Sequence, residues 1–308
     1  MRILFTGASS FTGYWFIKTL AAAGHEIVCP LRGTAESYDG VRKLRVEKLQ
    51  SLCRLVPQTP FGSDKFLELI RSGQWDVLCH HATESANYKS ADFDALAALQ
   101  SNAFNLRTVL AASKKAGLRG VILTGSVFEN DEGKGDEPLR AFSGYGLSKG
   151  LTWQAFRYYC GEAQVPLGKF VIPNPFGPLD EPKFTAYLMK NWREGKIAGV
   201  KTPDYLRDNI HVDLLALAYE NFFNRVTTLK SGTVKINPSN YVETQGAFAQ
   251  RLGREVQKRL GWDCKLDLSK QEDFSEPLQR VNTDSVAPLF PNWNEAKAWD
   301  AFAEFYAK

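Results

Sequence analysis

The chain has 308 residues, 44% hydrophobic and 23% charged, with a formal net charge of +4, which suits a large globular core and excludes a disordered or collagen-like chain. No run of about 18 apolar residues occurs, and the start, Met-Arg-Ile-Leu-Phe-Thr-Gly, reads as a strand entering a glycine turn; neither a membrane span nor a signal peptide is expected, and the predicted protein is soluble and cytoplasmic. The basic residues form no long run, and the densest patch, Arg42 to Lys48, is diluted by Glu47 and apolar positions, so nucleic acid is not an expected partner while a small phosphorylated ligand is compatible.

In chain order, Arg2 to Thr6 is an apolar strand ending in Gly7-Ala8-Ser9-Ser10-Phe11-Thr12-Gly13, after which a helical pattern runs to Leu20 and stops at Gly24. Strand, glycine turn and helix is the context in which a pyrophosphate is bound, because a helix N-terminus offers free N–H groups and partial positive charge. The turn (Gly7, Ser9, Ser10, Phe11, Thr12, Gly13) is a candidate dinucleotide site, although Ser10 stands where the usual pattern has its middle glycine; a plain strand-to-helix turn is the alternative. His25 to Leu31 is the second strand. Its end, Pro30-Leu31-Arg32, lacks the carboxylate that would bind ribose hydroxyls, and Arg32 favours a 2′-phosphate, hence NADP.

Residues 33 to 58 predict a short strand near Val41 to Val46. Asp64 to Ser72 reads as a helix and Asp76 to His80 as a strand leading to His81-Ala82-Thr83. Adjacent histidines on a strand face opposite sides, no carboxylate or cysteine cluster accompanies them, and the expected role is at the strand end beside the cofactor with no metal. Cys29, Cys53, Cys79, Cys160 and Cys264 are odd in number and contain no C-x-x-C, so reduced, mostly buried thiols are expected. Ala91 to Ala116 reads as one long helix, with Asn102 in mid-helix facing solvent or a neighbouring carbonyl. A buried strand from Gly120 delivers Thr124-Gly125-Ser126 to its C-terminal end, where an open parallel sheet places ligands.

Tyr145 and Lys149 follow, four residues apart at the head of the next helix and so stacked one turn apart; an ammonium there lowers the pKa of a phenol and makes it a usable acid or base. Tyr14 and Lys18 repeat that spacing behind the glycine turn and are read as structural. Phe170 to Ile172 is a further strand, opening into Pro173-Asn174-Pro175-Phe176-Gly177-Pro178. A helix at Phe184 to Glu194, the run Arg207 to Asp213, a helix at Leu214 to Phe223, a strand at Thr233 to Ile236 and a helix at Glu243 to Leu260 complete the pattern.

These motifs together resemble the extended short-chain dehydrogenase/reductase (NAD-dependent epimerase/dehydratase) family: T-G-A-S-S-F-T-G at 6 to 13, D-V-L-C-H-H-A at 76 to 82, S-N at 101 to 102, L-T-G-S-V-F at 123 to 128, Y-G-L-S-K at 145 to 149, N-P-F-G-P at 174 to 178 and R-D-N-I-H-V-D at 207 to 213. The resemblance implies an α/β fold, a doubly wound parallel Rossmann sheet with a smaller C-terminal substrate lobe. It implies a cofactor core over 1–172 with a return segment 208–240, and a nucleotide-sugar lobe over 173–207 and 241–308. It assigns Thr124, Tyr145 and Lys149 to catalysis: Tyr145 as proton donor or acceptor, Thr124 as a hydrogen-bond donor at the same oxygen, Lys149 on the nicotinamide ribose. His81 and Ala82 join the glycine turn and Arg32 around the cofactor, and Thr83, Ser126, Asn174, Arg207 and Arg280 are expected to meet a nucleoside-diphosphate sugar. A homodimer through helices 91–116 and 145–162 is also implied.

Departures narrow the chemistry. Relatives that eliminate water carry an Asp-Glu pair after the threonine, where this chain has Gly125 and Ser126, and the missing carboxylate after the second strand points to exchangeable NADPH over retained NAD. Residues D-E-P-K-F-T-A-Y-L-M at 180 to 189 look like CDP-paratose and CDP-abequose synthases, so the expected activity is reduction of the 4-keto group of a nucleoside-diphosphate-4-keto-6-deoxyhexose. An NAD-retaining nucleotide-sugar 4-epimerase and a non-catalytic dinucleotide-sensing protein of the same fold stay open as alternatives.

Overall fold

The computed structural model describes residues 1–272, 274 and 276–308. Short apolar runs such as Ile3-Leu4-Phe5 and Val121-Ile122-Leu123 are buried on both faces, as strands of a covered parallel sheet must be. Seven of them pair, all in parallel, in the order Thr233–Ile236, Leu167–Ile172, Gly120–Ser126, Val77–His80, Arg2–Thr6, Glu26–Pro30, Arg54–Val56. The order reverses between Arg2–Thr6 and Val77–His80, which makes the carboxyl ends of these two strands the switch point of a Rossmann-type sheet. Helices Asp64–Arg71, Leu106–Lys115 and Gly144–Glu162 cover one face over a core that includes Phe66, Ile70, Val109, Leu110 and Phe156. Phe16, Phe170, Tyr219 and Phe222 form an aromatic stack of their own, with Phe16 and Tyr219 parallel at 4.0 Å.

The chain separates into two compact units, the larger comprising Met1–Glu132, Arg140–Ile172 and Ala216–Asn237. The returning segment is narrower than the 208–240 read from the sequence, because Leu206–His211 is a strand of the smaller unit's sheet. That sheet runs Tyr241–Thr244, Leu206–His211, Gln279–Val281, Lys134–Gly135, with Asn174–Phe176 pairing on the Leu206–His211 strand. Its core gathers Phe176, Leu188, Trp192, Phe248, Leu252, Trp299 and Phe302. Two further two-stranded pairs join Pro238–Ser239 to Asp284–Ser285 and Leu266–Leu268 to Ala198–Val200.

Three expectations are corrected. Residues 41–46 lie in a helix, Gly40–Leu49, and the third strand is Arg54–Val56; Arg45, Val46 and Leu49 make its buried stripe, a helical spacing hidden by the charge of Arg45. The helix expected over 91–116 is two, Ala95–Asn102 and Leu106–Lys115. Asn105 breaks it, left-handed at φ 53° with its side-chain amide donating to Gly62 O at 2.9 Å. Asn102 is buried at the end of the first of these, where its Oδ1 accepts from Glu84 N–H (2.7 Å) and its amide donates to Thr152 Oγ1.

Candidate active site

Thr6 ends the first strand with its Oγ1 accepting the N–H groups of His81 (3.2 Å) and Ala82 (3.1 Å), which stitches the two strand ends of the switch point together. Gly7 then turns at φ +79°, and a Cβ there would lie 2.6 Å from Ala82 N; one on Gly13 would lie 2.4 Å from Gly7 O. Only hydrogen fits at either place. Ser10 caps the helix Phe11–Ala22, accepting from Gly13 N–H. It does not cap the earlier N–H groups of the first turn, which have no intrahelical partner. A side-chain-free cradle closed by a helix N-terminus fits the pyrophosphate of a dinucleotide. Thr83 Oγ1, buried just beyond Ala82, has no hydrogen-bond partner, and Ser9 is held from behind by Arg45, whose Nε donates to Ser9 O at 2.9 Å.

The fold brings a carboxylate to the second strand's end after all. Arg32 pairs with Glu84 Oε2 at 2.9 Å, and Glu84 also accepts from Ser85 and Ala86 N–H. No sequence pattern near Arg32 foretells this, because Glu84 arrives from the loop after a different strand.

The paired histidines diverge. His80 is committed on both nitrogens, 3.1 Å from Thr6 Oγ1 and 3.0 Å from Asn102 O, and stacks on Phe156. His81 points the other way, its Nδ1 2.8 Å from Thr124 Oγ1 and its Nε2 2.9 Å from Ser10 Oγ and 3.1 Å from Thr12 Oγ1. Burial, helped by the charge of Lys149, lowers both imidazoles to about 3 and keeps them neutral. Among the described residues no group of three or more histidine, cysteine, aspartate and glutamate side chains is placed to hold a metal, and no helix is long and apolar enough to cross a membrane. The five cysteines are free thiols.

Ser143 caps the helix Gly144–Glu162 through Gly146 N–H, so Tyr145 and Lys149 fall in its first two turns. The Lys149 ammonium is buried and donates to Thr124 O, which fixes the helix to the end of the Gly120–Ser126 strand. Burial lowers it to about 8, against the favourable charge of Glu129. Tyr145 is half-buried among Tyr88, Phe93 and Phe128. Burial, then the charges of Glu129 and Tyr88, push its phenol up, opposite to the lowering expected from the Lys149 spacing, because removal from water outweighs the neighbouring ammonium. Tyr14 is buried against Trp15, and Lys18 covers that indole at 4.3 Å, which is a packing arrangement.

Against Gly125 lies a charge cluster that the motifs do not announce. Lys169 Nζ, 1% exposed, sits 2.5 Å from Glu129 Oε2 and 2.6 Å from Glu132 Oε1. Glu132 Oε2 also accepts from Lys235 (3.0 Å) and Asn237 (2.9 Å), and Glu129 Oε1 accepts from Ser126 N–H at 2.7 Å. The available signal was a lysine inside the apolar strand L-G-K-F-V-I, since a buried ammonium must find carboxylates. A Cβ on Gly125 would lie 2.7 Å from Lys169 Cε and 3.0 Å from Glu129 Oε1. Ser126 Oγ accepts from Phe128 N–H.

Asn174, Arg207 and Arg280 belong to the smaller unit, on three neighbouring strands in which Arg207 is in register with Arg280 and Asn174 with Asn209. Asn174 donates to Asp208 O. Arg207 spends its guanidinium on Leu206 O, Leu278 O and Glu276, over the ring of Tyr205, and Arg280 is 1% exposed.

Residues 3–236 match the family described as NAD dependent epimerase/dehydratase. The chain belongs to that family. Among solved structures it is similar to UDP-glucuronic acid 4-epimerase from Bacillus cereus in complex with UDP-glucuronic acid and NAD, at 16% identity and a TM-score of 0.76 over 100% of this chain and 99% of that one. UDP-glucose 4-epimerase from Thermotoga maritima with UDP-glucose is similar at 16% identity and TM-score 0.72, over 100% and 99%. The dTDP-glucose 4,6-dehydratase DesIV from Streptomyces venezuelae, with NAD bound, follows at 18% and 0.74, over 100% and 97%. At such identity the likeness is one of fold. No curated protein matches the sequence.

Proposed function

We propose that this member of the epimerase/dehydratase family reduces the 4-keto group of a nucleoside-diphosphate-4-keto-6-deoxyhexose with NADPH. The observation that carries the reading is Tyr145 one helical turn before the buried Lys149, whose ammonium donates to Thr124 O, since reduction needs a proton donor beside a charge that can stabilise its conjugate base. The cofactor, when bound, supplies the hydride. Tyr145 gives its proton to the oxygen at C4, and the Lys149 ammonium stabilises the phenolate left behind. Thr124 is the second hydroxyl at that oxygen. The Lys169–Glu129 pair lies against Gly125, where a Cβ would come 2.7 Å from Lys169 Cε, which disfavours an acidic side chain at that position. The nucleotide sugars named with the similar structures support the substrate class. The exposed Leu96, Leu147 and Tyr158 on helices Ala95–Asn102 and Gly144–Glu162 support a homodimer through them.

The test follows NADPH absorbance against 4-keto-6-deoxyhexoses carried on CDP, dTDP, UDP and GDP. Consumption with at least one is expected, and consumption with none refutes the reading. Where turnover is found, kcat/KM for reduction should be level below pH 8 and fall towards tenfold per unit above it, as Lys149 loses its proton. A profile level to pH 10 separates Lys149 from the reaction.

The Arg32–Glu84 pair favours a second reading, a 4-epimerase that retains NAD, because it restores a carboxylate beside the second strand. Glu84→Gln distinguishes the two. If Arg32 serves a 2′-phosphate, releasing it should shift the NADPH/NADH affinity ratio about tenfold towards NADPH, the scale of one charge-assisted hydrogen bond. An unchanged ratio, with NAD co-purifying near one per chain, supports the epimerase.

A further inference from the structure

The hydroxyl of Ser10 has one hydrogen to give and two lone pairs to receive. It donates to Gly7 O at 2.9 Å and accepts from Gly13 N–H at 3.1 Å, so its third neighbour, His81 Nε2 at 2.9 Å, stands as a donor. Thr12 Oγ1, 3.1 Å from the same nitrogen, is a second acceptor for that hydrogen. A neutral imidazole protonated at Nε2 carries a lone pair on Nδ1. Thr124 Oγ1 is 2.8 Å from this lone pair and gives it the hydroxyl hydrogen. We propose that His81 is a positioning residue that ties the Thr124 hydroxyl to the glycine turn and makes it a hydrogen-bond acceptor towards the substrate.

This rests on Thr124 as the second hydroxyl at the substrate oxygen, and it reverses the donor role expected for that threonine. Tyr145 is then the sole donor to the keto oxygen, and Thr124 receives the hydrogen of the new alcohol once the proton has moved. The opposite tautomer, with hydrogen on Nδ1, would free Thr124 to donate but would need Ser10 to swing its hydrogen from Gly7 O to the ring. The imidazole packs against Phe5 and Phe16, contacts that a phenyl ring at this position would also make. Such a ring would leave the Ser10 and Thr124 hydroxyls unlinked. Burial holds His81 neutral, so an imidazolium that donates from both nitrogens does not compete near pH 7.

The tautomer can be read without turnover. The chain has 4 histidines, so two-bond nitrogen–proton correlation spectra of 15N-histidine-labelled, ligand-free protein resolve the rings, with His81→Gln giving the assignment. The expected result at pH 7 is the neutral Nε2–H form, with an Nδ1 resonance that shifts in Thr124→Val and an Nδ1–H population that grows in Ser10→Ala. An Nδ1–H ring in the unaltered protein, or an Nδ1 resonance indifferent to Thr124→Val, overturns the proposal. Once a substrate is in hand, His81→Phe should lower kcat at saturating NADPH roughly 10- to 100-fold, the scale of a misdirected reacting group. An unchanged kcat also overturns it. Failure of every keto sugar refutes the proposed reaction and leaves the spectroscopic result standing.

Discussion

Tyr145→Phe is expected to lower kcat by about 10²- to 10⁴-fold, the usual worth of a positioned general acid, with the NADPH dissociation constant unchanged. The loss corresponds to about 3–5 kcal/mol of transition-state stabilisation. Phenylalanine keeps the ring that packs against Tyr88, Phe93 and Phe128, so only the hydroxyl is removed. Single-turnover measurement at saturating NADPH checks the rate, and fluorescence titration checks binding. Turnover equal to that of the unaltered protein would remove Tyr145 from the chemistry. A joint loss of turnover and NADPH affinity would make it a binding residue.

Lys169→Met should destabilise the larger unit by about 3–5 kcal/mol. The cost comes from what remains: Glu129 and Glu132 would be buried with one ammonium fewer, and Lys235 reaches only Glu132. Domains are stable by about 5–15 kcal/mol, so the loss is a large share of the total. Urea denaturation measures it, and a stability loss below about 1 kcal/mol, the worth of an exposed pair, would show that the cluster is hydrated. Glu129→Gln in the Lys169→Met background should recover part of the loss, because it removes one of the orphaned charges.

Much of the sheet could be read from residues that act locally. Arg2–Thr6, Thr233–Ile236 and the Tyr145/Lys149 helix are announced by apolar runs, glycine turns and helical spacing, all within a few positions of the element they define. Features made by distant residues were hidden. The cluster beside Gly125 joins residues 129, 132, 169, 235 and 237, and Glu84 reaches Arg32 across 52 positions. Arg45 disguised a buried helix face as a charged stretch, since its partner, Ser9 O, lies 36 positions upstream. His81 was legible as a strand-end residue. Its bond to Thr124 depends on the sheet pairing that aligns His80 with Leu123 and so sets the two strand ends side by side.

The space below Gly125 bears on how readily this scaffold could change its chemistry. Installing the acidic pair of a dehydratase at 125 and 126 would set a carboxylate against Glu129 and displace the Lys169 side chain. A carboxylate at 125 would have to be matched by repacking of Glu129 and Lys169, so the glycine at that strand end is tied to the charge cluster behind it.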